Sequence, residues 1–108
     1  MAQQQTHYAS VDANTFKYLG ESYLVSWNFT KRLRSGQSIV GAVVVVTDAE
    51  GNDVTDSIVD TGSIATTSTT VTVRLVENGG TVGQFYYVLF RAVTAADKLE
   101  QVLEVEIR

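Results

Sequence analysis

The sequence predicts an all-β fold, an immunoglobulin-like antiparallel β-sandwich of about seven strands with an extended N-terminal arm. Three observations carry this. Valine and threonine, both strand formers, dominate the composition. Short apolar or alternating runs recur at near-regular spacing, separated by glycine, asparagine and aspartate. The chain has 108 residues and neither cysteine nor proline, so one domain must hold together by its core alone.

Residues 1–13 are polar, Gln-rich and without periodicity, and form the expected arm. The arm carries the single histidine, His7, beside Tyr8, and both are candidate contacts to a neighbouring subunit. Residues 14–108 form the expected sandwich. Phe16-Lys17-Tyr18-Leu19 is a short first strand closed by Gly20. In Tyr23 to Phe29, side chains two apart share a face, so Tyr23, Val25, Trp27 and Phe29 line the core. Thr30 to Gly36 is a loop with room for one helical turn, Leu33 pointing inward and Lys31, Arg32 and Arg34 wet.

Ser38 to Thr47 is apolar throughout, which implies a strand covered on both faces. Asp48-Ala49-Glu50-Gly51-Asn52-Asp53 has turn chemistry. Val54 to Ala65 reads as one or two short edge strands. Thr69 to Val76 alternates, with Val71, Val73 and Leu75 inward. Gln84 to Val93 is apolar on both faces: Tyr86, Val88, Phe90 and Ala92 on one, Phe85, Tyr87 and Leu89 on the other. The last strand sets Leu99, Gln101, Leu103, Val105 and Ile107 against Glu100, Val102, Glu104, Glu106 and Arg108.

Catalysis finds little support. A Ser–His–Asp arrangement would have to recruit His7 from a polar tail. Glu104 and Glu106 share a solvent face, as solubilising charges do. The loop starting at Asp48 has Asp53 and Val59 where a calcium loop needs glycine and glutamate. Asn78-Gly79-Gly80-Thr81-Val82-Gly83 lacks a following lysine and enters a strand, so it is no phosphate loop. No enzyme activity, cofactor or metal is expected. The formal charge of −4 disfavours nucleic acid and anionic membranes as partners. Met1 to Thr6 has no basic or apolar leader character, so synthesis in the cytoplasm is expected.

Trp27, Leu33, Gly36-Gln37-Ser38-Ile39, Asn78-Gly79-Gly80, Gly83, Tyr86-Tyr87-Val88 and Thr94 together resemble small bacteriophage virion structural proteins of the immunoglobulin-like fibre-adaptor or decoration type. That pattern joins an aromatic strand, a leucine followed by a Gly-Asp-x-Ile turn, and a Gly-Gly-x-x-Gly-x-x-Tyr-x-Val hairpin. The likeness spans about residues 16–108. Two departures stand out: Gln37 replaces the aspartate, and Ala95-Ala96-Asp97-Lys98 replaces a Ser/Thr-x-Gly-Arg turn. The resemblance implies a virion protein that joins tail fibres to the particle or decorates the capsid. Its implied partners are copies of itself and other virion proteins of capsid, tail or fibre.

Matching Tyr86 to the hairpin tyrosine puts its face in the core. Phe85, Tyr87 and Leu89 are then the expected interface anchors. Lys31, Arg32 and Arg34 are candidates to meet a neighbour's acidic strip of Asp48, Glu50, Asp53 and Asp56. The competing reading is a carbohydrate- or surface-binding module that stacks sugars on exposed Tyr and Trp.

Overall fold

The computed structural model describes residues 11–108. Seven strands follow in order: β1 (Ala13–Lys17), β2 (Tyr23–Asn28), β3 (Gly41–Thr47), β4 (Val59–Thr66), β5 (Thr70–Leu75), β6 (Phe85–Val93) and β7 (Lys98–Ile107). One short helix, α1 (Thr55–Ile58), lies between β3 and β4.

The strands form two sheets, one ordered β1-β7-β6-β3 and the other β2-β5-β4. Antiparallel β2-β5-β4 against β3-β6-β7 is the strand order of an immunoglobulin sandwich. β1 joins the larger sheet by running parallel to β7, with Ala13 opposite Leu103 and Lys17 opposite Ile107. It begins inside what the sequence assigns to the arm, and the Asp12 N–H already donates to the Val102 carbonyl at 2.9 Å.

Period-two alternation builds the core. Val71, Val73 and Leu75 of β5 are fully buried, as are Val88, Phe90 and Ala92 of β6 and Val105 and Ile107 of β7. Tyr86 and Leu103 complete these faces. Phe29 is buried, and Tyr23, Val25 and Trp27 pack half-buried against the same cluster. The loop after β2 makes the single turn its sequence allows: the Arg32 and Leu33 N–H groups both donate to the Phe29 carbonyl. Leu33 packs inward from that turn.

Two elements differ from expectation. Residues 54–65 hold one edge strand, within the one or two expected, but a helix stands before it that the sequence reading does not include. A helical turn precedes it because Asp53 draws the chain around: its Oδ1 accepts from the Thr55 N–H at 3.0 Å and from the Thr55 hydroxyl at 2.6 Å. That turn brings Ile58 into the core. The first strand is also displaced: it is expected over Phe16 to Leu19 and runs from Ala13 to Lys17. Lys17 is buried and Phe16 is exposed.

The loop before β6 is closed by glycines where a side chain has no room. Gly80 sits at φ +86°, and a Cβ there would lie 2.9 Å from the Tyr86 ring.

Candidate interaction surface

The outer face of the larger sheet is assembled by register. β6 contributes Phe85, Tyr87, Leu89 and Arg91, the residues that alternate with its buried set. β3 sets Val45 beside Leu89 and Val43 beside Arg91. β7 sets Val102 beside Leu89, Glu104 beside Tyr87, and Glu106 beside Phe85. β1 completes two rows, with Asn14 beside Glu104 and Phe16 beside Glu106. The result is a centre of Val45, Leu89 and Val102, with aromatic residues toward one end.

This face is apolar and reaches solvent. Phe85 is 39% exposed, Phe16 40% and Val43 42%. Tyr87 and Leu89 are half-buried by their neighbours. Single exposed apolar residues are ordinary, but a contiguous set on one sheet face marks a place where something binds. At the aromatic end, Phe16 and Tyr18 meet edge to face at 5.5 Å. The Arg108 guanidinium lies 3.9 Å over the Phe16 ring and donates to Glu106 at 3.0 Å. This cation–π contact covers one face of Phe16.

The basic cluster is placed differently from the aromatic face. Arg34 pairs with Asp97 of its own chain at 3.2 Å. Arg32 donates to the Gln101 side chain and, at 3.4 Å, to the Glu100 carbonyl. Lys31 is exposed beside them. These guanidinium groups are therefore engaged at home, which leaves less free charge for a neighbour than the sequence alone gives.

Two members of the acidic strip, Asp48 and Asp53, are bonded within their own loop. Asp48 Oδ1 accepts from the Glu50 and Asn52 N–H groups, both at 2.9 Å. Partial burial pushes the Asp48 carboxyl up, but these bonds, with one from Gly51, outweigh it and hold it below the usual range. Asp53 is held low by Thr55, side chain first and backbone second. Such a loop closes on itself, and among the described residues no group of three or more His, Asp or Glu side chains is placed to hold a metal ion.

The two sequence departures meet in space. Gln37 Nε2 donates to Asp97 Oδ2 at 2.7 Å and to Thr94 Oγ1 at 3.2 Å. Thr94 Oγ1 in turn accepts from the Asp97 N–H at 2.9 Å. A neutral amide at position 37 thus faces an aspartate at 97, where the resembled pattern has an aspartate at the first place and an arginine turn at the second. Arg34 supplies the cation of this cluster. His7 and Tyr8 lie outside the described residues.

The model of the family "Podophage GP4 fiber-tail adaptor protein gp77" matches residues 17–108. The chain belongs to this family. It is a phage structural protein. Among solved structures, titin domain M7 is similar in fold, at a TM-score of 0.53 and 8% identity over 89% of this chain and 86% of that one. At that identity the likeness concerns the sandwich alone. None of the curated proteins matches the chain. Trp27 of this family member packs, half-buried, against the core. No helix among the described residues is long and apolar enough to cross a membrane.

The residues that sequence reasoning missed on this face are Phe16, Val43 and Val45. Alternation within each strand was available, but which strands lie side by side was not. Tyr86 fixes the orientation of β6, and register with β3 and β1 then adds the rest.

Proposed function

We propose that the protein is a non-enzymatic adaptor of the virion that joins tail fibres to the particle through the outer face of its larger sheet. The carrying observation is the apolar row of Val45, Leu89 and Val102 flanked by exposed Phe85 and Phe16. Family membership supports a fibre–tail junction and lends none to capsid decoration. Phe85, Tyr87 and Leu89 are the anchors. Completing the burial of a large apolar side chain contributes about 1.5–3 kcal/mol at most, before the cost of association. Contact between copies through the N-terminal arm, with His7 and Tyr8, belongs to the same proposal. The protein acts in the virion after synthesis in the host cytoplasm.

Phage assembled with Leu89→Arg or Phe85→Ser tests this. Both positions lie on the outer face, so the circular dichroism of the purified variant should match wild type. Particles should carry fewer fibres by electron microscopy and lose infectivity. Normally fibred, infectious particles carrying Leu89→Arg would rule out this face as the joint.

A further inference from the structure

Among the described residues, the charged groups of the outer face are engaged within the chain except for two, Glu104 beside the apolar centre and Lys98 at the far end of β7. Arg91 pairs with Glu100 at 2.5 Å. Arg108 pairs with Glu106 at 3.0 Å. Asp12 Oδ2 accepts from the Val102 N–H at 2.8 Å. Glu104 is half-buried between Tyr87 of β6 and Asn14 of β1. Among the described residues, its carboxylate has no hydrogen bond or ion pair. Lys98 lies six residues away along β7, about 20 Å at roughly 3.3 Å per residue, and cannot reach it.

While the face is open, water solvates Glu104. Docking that buries Leu89 and Phe85 removes this water, because Glu104 sits one row from each of them. A carboxylate stripped of water without a partner is strongly unfavourable. A purely apolar partner is therefore penalised at this point. A second copy packed face to face escapes this penalty only if its Lys98, the other unpaired charge of the face, falls on Glu104.

We propose that the partner seated on this face is another virion protein whose apolar contact surface carries a lysine or arginine that pairs with Glu104. This rests on the outer face being the docking surface. The pair then acts as a selector, rejecting apolar surfaces that lack the cation.

The test uses the fibre and tail proteins of the same phage, purified separately, against full-length wild type, Glu104→Gln and Leu89→Arg at low and high salt. Binding is read by biolayer interferometry, and oligomeric state by sedimentation. Glu104→Gln keeps shape and fold. It should weaken binding to one of the two proteins about 30-fold or more and flatten the salt dependence. Leu89→Arg should abolish binding to the same protein. If Leu89→Arg abolishes binding while Glu104→Gln binds like wild type with the same salt dependence, the docking surface stands and the cation is overturned. If Leu89→Arg binds like wild type, the docking surface itself fails and the cation with it. A homodimer sealed by this face, with neither fibre nor tail protein bound, likewise overturns the proposal.

Discussion

The Tyr86 hydroxyl accepts a hydrogen bond from the Thr81 N–H at 3.0 Å, five residues upstream in the chain. Tyr86 stands near the start of β6, so the bond ties the glycine loop to the strand that follows it, as a tyrosine corner does. It also fixes which face of β6 turns inward. With Tyr86 held in the core, Phe85, Tyr87 and Leu89 are committed to the outside. The loop has no slack: a Cβ on Gly80 would lie 2.9 Å from the Tyr86 ring, 3.1 Å from Ile107 and 3.2 Å from Ile58.

Tyr86→Phe should therefore cost about 1 kcal/mol, the net value of one hydrogen bond. For a domain of this size that lowers Tm by about 4–8 °C. Gly80→Ala should cost more, about 1–3 kcal/mol, because positive φ and the tight contacts add together. Urea unfolding of both variants measures this. Tyr86→Phe with unchanged stability would show that the Thr81 N–H finds an equal partner elsewhere.

The faces of β5 and β6 were legible because strict alternation survives there, with Val71, Val73 and Leu75 in and Thr72 and Arg74 out, whereas in β7 Val102 is buried out of step. The outer patch was legible only in part. Phe85, Tyr87 and Leu89 follow from one strand's period. Val45 and Phe16 reach them through register, which is a property of pairs of strands separated by dozens of residues. The meeting of Gln37 with Asp97 is hidden for the same reason. β1 was not legible in its facing, since a rule based on hydrophobicity turns Phe16 inward. The actual arrangement depends on what Lys17 finds inside.

Lys17 Nζ donates to three carbonyls of the turn after β1: Tyr18 at 3.1 Å, and Leu19 and Glu21 at 2.8 Å each. The ammonium thus closes the turn through its three donors. Lys17→Met keeps the stem but leaves those carbonyls unmet. It should cost about 1–3 kcal/mol despite the more apolar side chain. Burial lowers the Lys17 pKa below 10.5, against the opposing pull of Glu21 and Glu77. Between the folded value and 10.5 the unfolded chain binds more protons at this site, so wild type gains stability as pH rises through that window. The stability difference between wild type and Lys17→Met should therefore widen there. A difference independent of pH up to 10.5 would contradict a lowered pKa.

The loop from Asp48 to Thr55 sets an acid limit of the opposite sense. Both Asp48 and Asp53 are held below 3.8 when folded. Their contribution is fully present above that value and is lost as pH falls through the folded pKa values. The amide signals of Glu50, Asn52 and Thr55, whose N–H groups bond these carboxylates, should titrate with midpoints below 3.8 in two-dimensional NMR. Midpoints at 3.8 or above would mean that the bonds do not favour the ionised form.

Two threonines near this loop should respond in opposite directions. Thr55 Oγ1 accepts from the Val46 N–H at 2.9 Å and donates to Asp53 at 2.6 Å, closing the edge of β3 at that point. Thr47 Oγ1 is buried on the outer face of the same strand and has no hydrogen-bond partner among the described residues. Removing a hydroxyl that satisfies a backbone donor costs about 1–3 kcal/mol, because the donor is stranded. Removing one that is itself stranded relieves a desolvation cost. Thr55→Val should therefore destabilise by about 1–3 kcal/mol, and Thr47→Val should be neutral or stabilise by up to about 1 kcal/mol. Thermal unfolding of the two variants side by side decides it. A loss at Thr47→Val equal to that at Thr55→Val would mean that the Thr47 hydroxyl is paired in solution.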